Sequence, residues 1–114
     1  MEDLLKKKCV PCEGGVVAFD ISEIHKYQKK VDGWDIPKND KNIYYLEKIF
    51  KFKNFKDSQD FVNQVGKISE DEGHHPDIYF GWGYAKINIT THAIEGLSEN
   101  DFILAAKIDK ISSV

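Results

Sequence analysis

Apolar residues recur along this chain at two spacings, and the changes from one to the other divide it into elements. Ile21, Ile24, Tyr27 and Val31 follow one another at helical steps between Asp20 or Ser22 and Asp32-Gly33, which predicts a first helix with those four on its buried face. Trp34 to Ile36 reads as a short strand, Pro37 to Asn42 as a polar turn, and Ile43 to Phe52 as a longer strand rich in aromatic and β-branched residues. The two strands are expected to pair as a hairpin. Asn54, with Asp57 three residues on, predicts the cap of a second helix whose Phe61, Val62, Val65 and Ile68 form one apolar stripe ending around Gly73.

Beyond that helix the period returns to two. Ile78, Phe80, Trp82 and Tyr84 alternate with Tyr79, Gly81 and Gly83, and Ile87 and Ile89 alternate with Lys86, Asn88 and Thr90, predicting a second hairpin that turns near Gly83. The last helix is marked by a capping box of Ser98 and Asp101, a staple of Leu97 and Phe102, and a core face of Ile103, Leu104, Ile108 and Ile111. The order α-β-β-α-β-β-α predicts an α+β fold: a four-stranded antiparallel sheet covered on one face by helices. Residues 1–19, with turns at Pro11 and Gly14-Gly15, read as an N-terminal arm, and 20–114 as a single domain. The bare face and the two open sheet edges lead us to expect a homo-oligomer joined at an edge.

A length of 114 residues fits one core and no second domain. The formal charge of -3 argues against direct binding of nucleic acid, which needs a basic face. All sixteen basic residues are lysine, so the bidentate arginine fork that commonly grips phosphate is missing. The first residues hold no continuous apolar stretch and no later run approaches a membrane span, so the expectation is a soluble, cytoplasmic protein without a membrane partner. Cys9 and Cys12 have the spacing of thiol redox and zinc sites. A charged tail precedes them, Glu13-Gly14-Gly15 follows, and no second such pair exists, which favours a structural or incidental role over metal or redox use.

Candidate chemistry is concentrated in three of the four histidines. His74 and His75 lie at a helix-to-strand junction, and His92 lies at the end of a later strand, in phase with Asn88 and Thr90 on its polar side. Histidine suits proton transfer near neutral pH, and two can divide the roles of acid and base. Chelation of one ion by the adjacent pair is disfavoured: neighbours in an extended chain point to opposite sides, and Pro76 biases His75 toward that form. Each histidine taken singly also has a structural reading, and His25 is left with that one. Asp101 is already accounted for by the capping box.

The run Glu70-Asp71-Glu72-Gly73-His74-His75-Pro76, followed by Trp82, His92 and Asp101, resembles the signature of the pterin-4a-carbinolamine dehydratases. Gly33-Trp34, Phe50 to Phe55, Thr90-Thr91-His92 and Gly96 to Asp101 also resemble family segments, so the likeness spans roughly residues 20 to 110. It implies dehydration of a 4a-hydroxytetrahydropterin to the quinonoid dihydropterin in tetrahydropterin recycling, with no metal and no organic cofactor. It further implies His74, His75 and His92 as the acid-base set, Glu70 and Asp101 as supporting residues, and Gly73, His74, His75, Trp82, Thr90, Thr91, His92 and Ala93 as the pterin-binding surface. The partners implied are the pterin, a second copy or a tetramer of the chain, and functionally an aromatic amino-acid hydroxylase. Gly73 and Ala93 stand where relatives often carry polar residues, and Ile78 where some carry an aromatic, which bears on substrate preference. Relatives also act in molybdenum-cofactor contexts and as dimerisation or assembly modules, and those remain the alternatives.

Overall fold

The computed structural model describes residues 2–9 and 17–112. Its elements are α1 (Glu2–Leu5), α2 (Ile21–Gln28), β1 (Leu46–Lys51), α3 (Phe55–Glu72), β2 (Asp77–Gly81), β3 (Tyr84–Ile89), a 3-10 turn (His92–Ile94) and α4 (Glu99–Ser112). β3 is the central strand of an antiparallel sheet ordered β1-β3-β2, with Leu46 opposite Ile89 on one side and Asp77 opposite Asn88 on the other. Leu46, Phe50, Ala85, Ile87 and Ile89 point into the core from one face of the sheet, and α3 and α4 cover that face.

The expected four-stranded sheet is thus three-stranded among the described residues, and Pro37 accounts for the difference. Asp35 and Glu47 exchange both backbone bonds, at 2.9 and 3.0 Å, so the hairpin starts as predicted. Two residues on, the Tyr45 amide donates to the Pro37 carbonyl at 3.1 Å, but proline has no N–H to return the bond. Only single bridges survive, at Asp35–Glu47 and Lys38–Tyr44. The turn beyond them is held by the Asn39 side-chain oxygen, which accepts from the amides of Lys41 and Ile43 at 2.8 and 3.0 Å.

The helices form where caps and stripes predict. Asp20 accepts from the Glu23 amide at 2.9 Å and Asn54 from the Asp57 amide at 2.8 Å. α2 ends at Gln28, short of the expected stop at Asp32-Gly33; Ile24 within it is buried, and Tyr27 within it and Val31 beyond it pack partly against the core, whereas Ile21 opens the helix and is 44% exposed, contrary to expectation. Phe61 of α3 meets Phe50 at 4.7 Å and Phe52 at 5.0 Å between ring centres. The helix α4 is buried through Phe102, Ile103, Leu104, Ala105 and Ala106, more than the one face its spacing indicates, because it contacts α1, α2, α3 and β1. The capping box forms by halves: the Ser98 amide donates to Asp101 Oδ2 at 2.8 Å, but the buried Ser98 hydroxyl has no partner among the described residues.

The described part of the N-terminal segment packs against the rest of the fold. It contains α1, whose Leu4 is 1% exposed and belongs to the core. Burying a leucine is worth roughly 1.5–3 kcal/mol, enough to hold a four-residue helix that could not stand alone.

Candidate active site

The end of α3 fixes where the histidines go. Gly73 takes a left-handed conformation at φ 64°, its amide donating to the Glu70 carbonyl at 3.3 Å while that of His74 donates to Ser69 at 3.1 Å. This pair of hydrogen bonds is the Schellman arrangement that glycine favours, and it turns the chain so that His74 leaves the helix toward the core side. Pro76 then carries the chain into β2.

Asp101 lies at the junction of these elements. It is fully buried in the first turn of α4, with Oδ1 2.7 Å from His74 Nε2. Its Oδ2 accepts the Thr91 hydroxyl at 2.8 Å and the Ser98 amide at 2.8 Å. One carboxylate therefore ties together the end of α3, the segment after β3 and the start of α4. A carboxylate only accepts, so His74 presents Nε2–H to Asp101 and leaves Nδ1 outside that bond. His75 turns the other way and pairs through Nε2 with Glu70, both well exposed.

His92 opens the 3-10 turn after β3. The turn is closed beneath it by backbone bonds between Thr91 and Gly96, at 2.9 and 3.4 Å, and by the Thr90 hydroxyl, whose single O–H is shared between the carbonyls of Tyr44 and Gly96 at 3.1 and 3.2 Å. Exposed His92 borders two adjoining hollows. One, of about 240 Å³, is lined also by Tyr45, Asp77 and Asn88; the other, of about 290 Å³, by Lys41, Ile43 and Glu95; Asn39 and Thr90 border both.

Of the residues expected from sequence, the structure brings His74, Asp101 and Thr91 into one bonded cluster, with Thr90 and His92 directly continuing the Thr91 segment. Gly73 and Ala93 are exposed beside the histidines they flank. Trp82 is set apart, 71% exposed at the tip of the β2–β3 hairpin, five strand residues or roughly 16 Å from the Asp77 end. Sequence reasoning did not find Asn39, Lys41, Tyr45, Asp77, Asn88 or Glu95. Asn88 had a signal, being in phase with Thr90 and His92. Asn39 and Lys41 had none, because only the closed hairpin brings their turn to His92.

Another hollow, about 350 Å³, lies elsewhere, between α1, α3 and α4, and no histidine lines it. In its wall Glu72 accepts the Lys107 ammonium at 2.7 Å and the Cys9 amide at 2.8 Å. Burial alone would raise the Glu72 pKa, but these two bonds and the lysine charge outweigh it and hold the carboxyl below the usual range. Cys9 donates its thiol to the Asn100 carbonyl at 3.4 Å. Burial first, then the Glu72 charge, push that thiol up to about 12, so it stays protonated in neutral water and is a poor nucleophile or metal ligand. Its sequence companion Cys12 lies outside the described residues.

The family profile described as "Pterin 4 alpha carbinolamine dehydratase" matches residues 18–111, which include every residue of this cluster. The chain belongs to that family. Bacterial relatives provisionally named pterin-4-alpha-carbinolamine dehydratases run nearly its full length: that of Rubrobacter xylanophilus is 43% identical, covering 97% of this chain and all of its own, and that of Halorhodospira halophila is 47% identical, covering 96% and 98%. Among solved structures, a transcriptional coactivator/pterin dehydratase from Brucella melitensis superposes with a TM-score of 0.75 at 27% identity, over 83% of this chain and 98% of that one. A pterin dehydratase-like protein identified as a RuBisCO assembly factor in the alpha-carboxysome gives 0.60 at 25% identity, over 70% and 89%. No helix among the described residues of this family member is long and apolar enough to cross a membrane.

Proposed function

We propose that this chain dehydrates a 4a-hydroxytetrahydropterin to the quinonoid dihydropterin by histidine acid-base catalysis, in the recycling of a tetrahydropterin used by an aromatic amino-acid hydroxylase. The observation that carries the reading is the contact between His74 and buried Asp101, because it fixes one ring of the histidine set in a defined tautomer and orientation.

Hydroxide is a poor leaving group. An imidazolium donates its proton to the 4a oxygen, the carbon–oxygen bond breaks to release water, and the nitrogen-5 lone pair forms the carbon–nitrogen double bond. A second imidazole takes the proton from nitrogen 5, so one proton is given and one recovered in each turnover. His74 Nδ1 and His92 are the two positions this scheme uses first, with His75, steadied by Glu70, as the exposed third member. Each positioned acid or base contributes about 10²- to 10⁴-fold in rate. His74 and His75 engage different carboxylates, Asp101 and Glu70, which suits divided proton roles better than shared coordination of a metal.

The test is the rate of 4a-hydroxytetrahydropterin dehydration, followed by ultraviolet absorbance after exhaustive chelation, for the wild type and His74→Ala. Rapid, chelator-resistant turnover that the substitution abolishes is the expected result; no acceleration over buffer would sink the proposal.

The likeness to a RuBisCO assembly factor supports a second reading, an assembly or dimerisation module. β2 leaves one backbone edge unpaired among the described strands, which suits joining to a second copy. Sedimentation of His74→Ala separates the readings: lost dehydration with intact assembly leaves catalysis as the role of the histidines.

A further inference from the structure

The end of α3 is joined to α4 at a second point besides the His74–Asp101 contact. Glu72, the last residue of α3 and two before His74, accepts the Lys107 ammonium through Oε2 at 2.7 Å and the Cys9 amide through Oε1 at 2.8 Å. The Cys9 thiol in turn donates to the carbonyl of Asn100, the residue before Asp101, at 3.4 Å. Asn100 and Lys107 stand seven residues apart in α4 and so share one of its faces, the one against which Cys9 and Glu72 lie. Asp101, one residue on from Asn100, is turned about 100° from that face, toward His74.

The bond to Asp101 sets the distance of the His74 ring from α4 but leaves the end of α3 free to rotate about it. A second tie at Lys107, six residues or about 9 Å farther along α4, removes that freedom. Close packing does not supply the same constraint, because α1, α3 and α4 leave a hollow of about 350 Å³ beside the pair, lined by Leu5, Ile68 and Ile111. Nor does stability alone explain an ion pair so well enclosed. Taking both charges from water costs as much as their attraction returns or more, and fixing one register is the best-attested use of such a pair.

We propose that Glu72 is a positioning residue for the dehydration: tied to Lys107 and to Cys9, it holds the end of α3 so that His74 meets Asp101 in one orientation. The proposal rests on the dehydratase reading and extends the support of the site to α1 and Cys9, which precede the residues 18–111 shared with the family. Glu72 takes no part in the proton transfer itself, since its carboxylate is engaged by α4 and the N-terminal segment and lines neither hollow beside His92. Without the tie the ring samples several orientations, and a misplacement of about 1 Å costs up to about 10²-fold in rate.

The experiment measures kcat and KM for 4a-hydroxytetrahydropterin dehydration, together with the proton NMR resonance of His74 Nε2–H, identified by its loss in His74→Gln. The proteins are the wild type, Glu72→Gln, Lys107→Met and Lys107→Arg, each held at a temperature where its melting curve shows it folded. Ile24→Val, a core change in α2, controls for lost stability. In Glu72→Gln and Lys107→Met, kcat is expected to fall by about 10-fold with KM within about 2-fold, and the resonance to broaden or shift. Lys107→Arg remakes the pair and recovers most of kcat, and Ile24→Val leaves both readouts as in the wild type. If Glu72→Gln and Lys107→Met melt earlier yet keep the wild-type kcat and resonance, Glu72 is a stabilising contact only; the proposal is overturned and the dehydratase reading stands. If the wild type does not accelerate dehydration, the dehydratase reading fails and the positioning role with it.

Discussion

Asp101 couples His74 to Thr91: its two oxygens lie 2.7 Å from the imidazole Nε2 and 2.8 Å from the threonine hydroxyl, and none of the carboxylate is exposed. The residue that caps α4 is thus also the residue that orients the ring. Replacing it with asparagine keeps the shape but turns one acceptor into a donor facing groups that themselves donate. Asp101→Asn is expected to destabilise the fold by about 1–3 kcal/mol and to lower the dehydration rate by about 10²-fold in the protein that remains folded. Thermal melting and turnover measured on the same sample separate the two effects.

Thr91 touches Asp101 rather than either hollow beside His92, so it acts as a positioning residue. Thr91→Val keeps its volume and removes the hydroxyl, leaving Oδ2 with only the Ser98 amide. Turnover is expected to fall by about 5- to 10-fold with KM nearly unchanged, and Thr91→Ser to recover most of it. A rise in KM with kcat intact would instead place the hydroxyl on the substrate, as the family resemblance implies.

What the sequence made legible follows from the range of the interactions concerned. Caps at Asp20 and Asn54, the alternation through Ile87 and Ile89, and the turn at Gly83 are set by residues within a few positions of one another, and they formed as read. Pro37 was visible too, but its consequence depends on register: it falls at a position whose amide the hairpin needs, and the fourth strand shrinks to bridges. The second role of Asp101, the burial of Leu4 and the approach of Asn39 and Lys41 to His92 join parts of the chain far apart in sequence, which no local pattern encodes. The histidines were found because their residue type announces the chemistry. The residues around them were found only where strand parity or the resemblance indicated them.

The buried thiol gives a prediction about reactivity. A pKa of about 12 leaves Cys9 roughly 10³-fold less thiolate at pH 8 than an ordinary cysteine. In a Cys12→Ser chain, alkylation by iodoacetamide is expected to be slower by about that factor in the folded protein and to become ordinary in denaturant. Fast labelling of the folded chain would restore the redox reading of the pair.

The Glu72–Lys107 pair predicts a loss of stability in acid. Its side chains are 6% and 17% exposed, so solvent screens it little. Folding depresses the pKa of Glu72, because the bonds from Lys107 and the Cys9 amide outweigh the opposing effect of burial. The stabilisation is therefore fully present above the unfolded value, about 4.3, and is lost as pH falls through the lower folded value. Glu99, depressed chiefly by its bond from Lys7, adds to the loss in the same direction, discounted for its greater exposure. Urea midpoints taken from pH 7 down to pH 3 are expected to fall most steeply below about pH 4.5. Glu72→Gln abolishes that titration and leaves the Lys107 charge without its partner, so the variant should be less stable by about 1–3 kcal/mol at pH 7 and should lose less on acidification. If wild type and variant fall in parallel, the acid sensitivity arises from other carboxylates and the pair is a packing contact only.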